Sequence, residues 1–215
     1  SFVDFTGAAK GRFTLNHIKQ FVTLDPGTSI SGILNADLGF SGNKTAIDKK
    51  EYDKIIINGT VGLNNLSYVS KDYPTGLSVT NSALSFQQKN VTLNNLAGNY
   101  LNTNFSANGT FNNLVGYAMQ DQPLAGTLNI TADKMNLNDW MGTPVSGAVE
   151  VPVTTVSSSG KPFLIPAGIN FAVNTTIQQL LYDKVGYTNV SGVLLMNDEK
   201  ATFQNIKTTA LDGTI

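Results

Sequence analysis

The sequence predicts a mainly β protein. Its strands form one long, curved antiparallel sheet, a meander rolled into a trough or a sandwich-like shape, with one to three short helical turns. Three observations carry this expectation. Apolar residues recur at every second position along much of the chain, the period of strands with one buried face. Only 13% of the 215 residues are charged, against about a quarter in ordinary soluble domains. Asn, Thr, Ser and Gly fill the gap, and these suit strands and turns, whereas helix-rich chains carry more Glu, Lys, Arg and Ala.

The strands are read in order. In "SISGILNADLGFSG", Ile30, Leu34, Ala36, Leu38 and Phe40 share one face, with Ile33 the exception. In "KIIINGTVGL", Ile55, Ile57, Val61 and Leu63 share one. In "YLNTNFSANGTF", Leu101, Phe105, Ala107 and Phe111 alternate with Asn102, Asn104, Ser106, Asn108 and Thr110, so the segment reads as one strand with an uncharged polar face. "AGINFAVNTT" sets Ala167, Ile169, Phe171 and Val173 against Gly168, Asn170 and Asn174. Turn signals stand between such runs at Asp25-Pro26-Gly27, Tyr73-Pro74-Thr75-Gly76 and Asn197-Asp198-Glu199-Lys200.

Four stretches break the alternation. "TAIDKKEYDK" carries six charges in the seven residues from Asp48, with mixed signs, and reads as a solvated loop or one or two helical turns. "NNLVGYAMQ" and "LNDWMG" each suit a short turn of helix at a sheet edge. "VSSSGKPF", residues 156–163, reads as a flexible connection.

The whole chain, residues 1–215, reads as a single β-rich domain cut from a longer protein, with an internal repeat. A shift of 110 residues places 76–105 on 186–215 without a gap. Gly76 meets Gly186, Leu84 meets Leu194, Thr92 meets Thr202, Asn95 meets Asn205 and Leu101 meets Leu211. A sheet that grows by adding similar strands makes a long continuous surface.

Reactive chemistry finds little to work with. The only histidine is His17, and cysteine is absent, so the usual triads and zinc sites lack parts and no metal site is expected. Asp133 and Asp139 are near one another in sequence, but nothing marks them as an acid–base pair. No phosphate loop or calcium loop occurs, and no cofactor is expected. Net charge is -1 and the pI about 5.7, so there is no electrostatic case for nucleic acid. The Asn-x-Ser/Thr triplets, such as Asn58-Gly59-Thr60 and Asn108-Gly109-Thr110, follow from composition and predict no glycan. Trp140 reads either as a ligand platform or as an aromatic packed at a sheet edge. The chain is not expected to be an enzyme. It holds no run of about 18 apolar residues and no signal peptide at Ser1, so any membrane anchor would lie outside it.

Residues 107–142 and the stretch from Val149 onward resemble the C-terminal region of AsmA-like proteins. Leu124, Gly126, Leu128, Leu137, Asn138, Trp140 and Met141 fit the first part of that pattern. Val151-Pro152, Leu181-Tyr182-Asp183, Asn189 and Gly192 fit the second. The resemblance covers most of the chain from about Asp53. One departure is Leu211-Asp212-Gly213, where the family often has Gly-Gly. The resemblance implies a periplasmic segment of an inner-membrane-anchored envelope protein of Gram-negative bacteria, similar to repeating-β-groove lipid-transfer proteins. It further implies an apolar groove carrying phospholipid in outer-membrane biogenesis, other envelope proteins as possible partners, and no catalytic residues.

The residues agree in kind. A one-sided sheet must cover its apolar face or fold it into a trough, and this chain has little helix for a cover. Exposing an acyl chain of about sixteen carbons costs roughly 13 kcal/mol, at about 0.8 per CH2. The residues expected to line such a groove are Leu34, Leu38, Phe40, Ile57, Val61, Leu101, Phe105, Phe111, Ile169, Phe171 and Val173. The alternative is a structural or adhesive β-sandwich module that binds glycan or protein through its Asn/Thr-rich face.

Overall fold

Eleven strands follow one another across a single sheet in chain order, in a computed structural model that describes residues 3–20, 23–49, 51, 54–88, 90–141, 167–210 and 213–214. The strands are β1 (Asp4–Thr14), β2 (Ser29–Asn43), β3 (Ile56–Val69), β4 (Leu77–Gln88), β5 (Asn90–Tyr100) and β6 (Thr103–Asn112). Then come β7 (Leu124–Asn136), β8 (Ile169–Tyr182), β9 (Val185–Asn197), β10 (Lys200–Ala210) and the short β11 (Gly213–Thr214). The sheet is open and does not close into a barrel, and among the described residues no second sheet faces it. A 3-10 turn covers Leu15–Gln20 and holds His17. Three short helices complete the description: α1 (Lys44–Asp48), α2 (Leu114–Gln120) and α3 (Leu137–Met141). They fall on the stretches where the alternation breaks. The connection expected at 156–163 and the Val151-Pro152 step lie outside the described residues.

Every neighbouring pair is antiparallel except β7 and β8, which run parallel from Leu124↔Ile169 to Asn136↔Leu181. A pure meander does not allow this. A parallel pair needs a crossover of a dozen or more residues instead of a tight turn, and the chain has one in residues 137–168. The reversal also lets β4 and β9 run in the same direction. A shift of 110 residues therefore carries β4–β5 onto β9–β10. Both hairpins have a register shift midway along the second strand, between Leu93 and Asn95 in one and between Gln204 and Lys207 in the other.

Two hairpins are closed by two-residue turns with both residues left-handed. Leu101 and Asn102 (φ 48° and 60°) join β5 to β6, and Asp198 and Glu199 (φ 43° and 64°) join β9 to β10. This geometry matches the twist of the flanking strands. It corrects the reading of Tyr100–Phe111 as one strand: Tyr100 ends β5, Leu101 sits in the turn, and β6 begins at Thr103. The exception in β2 also has a cause. Gly32 (φ 135°) lies against the backbone of Asn64, Asn65 and Leu66, where β3 holds an extra residue. Ile33 pairs with Asn64 just after the shift and, as the strand neighbour of Leu34, stands on the opposite face.

Candidate functional site

The strand registers sort the side chains into two faces. One row crosses ten strands as Ala9, Leu38, Gly59, Phe86, Val91, Phe111, Gly126, Phe171, Met196 and Ala201. The next row on the same face is Gly11, Ala36, Val61, Leu84, Leu93, Gly109, Leu128, Val173, Leu194 and Phe203. Neither row holds a polar side chain. Nine gaps of about 4.8 Å make each row roughly 43 Å long.

Between them, on the opposite face, runs a row that begins with the Lys10–Asp37 ion pair and continues as Thr60, Ser85, Thr92, Thr110 and Thr127. Beside it Asn129 Nδ2 donates to Asn108 Oδ1 at 2.9 Å, and Asn174 Nδ2 donates to Asn129 Oδ1 at 2.9 Å. An Asn and a Thr two positions apart on a strand share a face. Triplets such as Asn108-Gly109-Thr110 are therefore the imprint of this polar face along single strands.

Phe rings shape the apolar floor by lying over glycines of neighbouring strands. Phe40 covers Gly7, Phe5 covers Gly42 and Phe105 covers Gly98, each opposite its glycine in register. Gly126 leaves a gap between Phe111 and Phe171, and the two rings meet edge to face at 5.7 Å. Such pairing fills the space a glycine leaves in a sheet. Val91 and Val173 are only 1% and 2% exposed with no second sheet above them. Val173 owes this to its cluster with Leu124 and Phe171, against which Leu114 and Tyr117 of α2 pack, and Val91 lies in register between Phe86 and Phe111.

Ten of the eleven expected groove residues lie on this face: Leu34, Leu38, Phe40, Ile57, Val61, Phe105, Phe111, Ile169, Phe171 and Val173. Leu101 does not, because it belongs to a turn. The ten are not equally open. Leu124, Phe171 and Val173 form a buried cluster, and Leu114 and Tyr117 of α2 pack against it. The helix thus covers part of the floor over β7 and β8, while Leu34, Leu38, Phe40, Ile57 and Val61 stay half-buried or exposed. A shallow, open depression of about 640 Å³ lies over β1–β5, lined mostly by polar-face positions, Lys10, Asn35, Asp37, Thr60, Gly62, Ala83 and Asn94, with Gly11, Ala36, Val61 and Leu84 between those rows.

Sequence reasoning missed how one end of the trough is finished. Trp140 of α3 packs edge-on against Tyr100 at 5.2 Å, and its Nε1–H donates to Thr103 Oγ1 at 3.3 Å. Tyr100 meets Tyr73 at 5.6 Å, and Tyr73 meets Tyr68 at 6.0 Å. Burial, helped by Tyr100, Asp72 and Tyr68 nearby, raises the Tyr73 phenol above its ordinary pKa. Trp140 is therefore an edge-packing aromatic, and its indole is already engaged. Asp133 stands on the polar face. Slight burial works to raise its pKa, but hydrogen bonds from the Asn104 side chain and from the backbone N–H groups of Lys134 and Asn104 outweigh this and lower it. Among the described residues no cluster of three His, Cys, Asp or Glu could hold a metal, and no helix is long and apolar enough to cross a membrane.

No protein-family model matches the chain, and no curated protein or solved structure is detectably similar to it.

Proposed function

We propose that this domain is a non-enzymatic lipid-shielding module whose apolar trough covers the acyl chains of phospholipid during transport through the cell envelope. The observation that carries this reading is the pair of uninterrupted apolar rows across ten strands, which among the described residues no second sheet covers and α2 covers only over β7 and β8. Leaving such a surface to water is costly, and patches beyond a few hundred Å² commonly mark interaction sites. An acyl chain matches it without needing a charge or a reactive group inside. The half-exposed floor over β2–β4 suits an occupant better than β7–β8, where α2 already packs. The resemblance to AsmA-like proteins agrees with this reading and extends it: a periplasmic segment of an inner-membrane-anchored protein, serving outer-membrane biogenesis.

Glycan binding through the polar face has weaker support. The amides of Asn108, Asn129 and Asn174 bond to one another, and Trp140 is turned into the aromatic cluster instead of standing free as a sugar platform.

The test is photocrosslinking in cells, with the reactive group placed at Leu38 or Val61 on the floor and at Thr60 or Asn129 on the polar face. Phospholipid adducts are expected from the first pair only, and extraction of the purified protein should yield phospholipid by mass spectrometry. Equal adducts from both faces, or none with no lipid extracted, would refute the reading.

A further inference from the structure

We propose that the α3 end of the trough is a membrane-docking rim that partitions into the interface of a phospholipid bilayer. The inference rests on the trough reading, since a docked rim is where an acyl chain would leave the membrane.

The aromatic residues are sorted by type. Phe40, Phe86, Phe105, Phe111 and Phe171 lie along the apolar floor. Tyrosine and tryptophan gather instead at one end, where β3, β5 and β8 finish and β4, β6 and β9 begin. Tyr68, Tyr100 and Tyr182 stand at those strand ends, Tyr73 in the β3–β4 turn, Tyr187 near the start of β9, and Trp140 on α3. That is five of the seven tyrosines and the only tryptophan. Rings with an apolar body and a polar tip are favoured where hydrocarbon meets water.

The same end exposes apolar surface that the sheet does not use. Met141, Leu181 and Tyr182 are 41%, 40% and 45% exposed. A tyrosine hydroxyl needs water, so a wet strand end accounts for some tyrosines. It does not account for Leu181 and Met141 beside them. Charge selects the kind of surface. Among the described side chains at this end, Arg12, Lys71, Lys134, Lys184 and Lys207 are matched in number by Asp25, Asp72, Asp133, Asp139 and Asp183, so there is no net basic charge for anionic lipid. A zwitterionic bilayer fits. The opposite end also exposes Val3, Ile47, Ile56 and Met119, but among the described residues no tyrosine–tryptophan cluster accompanies them.

The chain has no cysteine, so Tyr182→Cys and Met119→Cys variants each take one environment-sensitive fluorophore. On adding phosphatidylcholine vesicles, the probe at 182 should shift to the blue, saturably and at high as well as low salt, while the probe at 119 should not. A Leu181→Ser/Tyr182→Ser variant with an unchanged melting curve should bind vesicles about tenfold more weakly. Equal shifts at both positions, or binding that salt abolishes, would overturn the rim. Extractable lipid without any vesicle response at 182 also overturns it, and leaves the trough reading standing. A response at 182 with no extractable lipid supports the rim and removes the trough.

Discussion

The side chain of Asn138 holds both backbone polar groups of Asp183. The Asp183 N–H donates to Asn138 Oδ1 at 2.9 Å, and Asn138 Nδ2 donates to the Asp183 carbonyl at 3.2 Å. An amide that pairs this way acts as one more residue of a strand, and it ties α3 to the turn after β8. Asp183 is left-handed (φ 52°), so the contact also fixes a turn that the chain does not favour on its own. Asn138 is 4% exposed. Asn138→Ala removes both bonds from a buried side chain, and a loss of about 1–3 kcal/mol is expected, read from urea denaturation. Asn138→Asp keeps the acceptor but sets a carboxylate against a carbonyl, and should be no better.

Glycine on the apolar floor is a matter of clearance. A Cβ at Gly98 would lie 2.5 Å from the Ser78 carbonyl and 2.9 Å from the Phe105 ring, whereas one at Gly186 meets nothing within 4 Å. Gly98→Ala should therefore cost about 2–3 kcal/mol. Gly186→Ala should be neutral or stabilise by up to about 1 kcal/mol, through the entropy of the unfolded chain. Comparing the two melting temperatures separates the floor from a general dislike of side chains in strands.

How far the sequence could be read depended on the range of each signal. Period 2 is local, so the face shared by Leu34, Leu38 and Phe40, or by Ile169, Phe171 and Val173, was legible strand by strand. Short helices were legible where alternation stopped, as at Leu114–Gln120. Leu101 misled because its odd position continues the pattern of Phe105 and Phe111 through a turn that contains no glycine. The parallel β7–β8 pair was hidden because direction is set by the connection and leaves no mark in the strands. Pairings such as Phe40 over Gly7, or Asn138 with Asp183, join residues far apart in sequence, and only the register brings them together.

The β9–β10 turn is improvable. Glu199 is exposed, with φ 64°, and follows Asp198 in a turn that favours Asp-Gly. Glu199→Gly removes the left-handed strain of a side chain and disturbs no packing, so a gain of about 1 kcal/mol is expected. Leu101→Asn addresses the same strain in the β5–β6 turn. Because Leu101 is not on the floor, lipid adducts from Val61 should be unchanged in that variant, whereas Val61→Asp should abolish recovery of lipid.

The polar face should show coupling across strands. Asn129 is the middle of three amides, accepting from Asn174 and donating to Asn108. Asn129→Ala breaks both bonds and should cost about 1 kcal/mol. In a double-mutant cycle, Asn108→Ala should cost less in the Asn129→Ala background than alone. Additive losses would mean that the ladder contributes nothing beyond the individual side chains.

Acid should act on this face through Asp133. Its carboxylate accepts hydrogen bonds from Asn104 at 2.9 Å (backbone) and 2.7 Å (side chain), and its pKa is lowered from the ordinary 3.8. A carboxyl with a lower pKa folded than unfolded adds stability that is fully present above the unfolded value. That contribution is lost as pH falls through the folded value. The stability difference between the protein and its Asp133→Asn variant should therefore be constant at neutral pH and shrink only below about pH 4. Asp133 is only partly buried, so screening keeps the effect small, and added salt should reduce it. The amide signals of Asn104 and Lys134, followed by NMR, should titrate together with the carboxyl below 3.8. Titration at or above that value would mean that these hydrogen bonds do not favour the charged form.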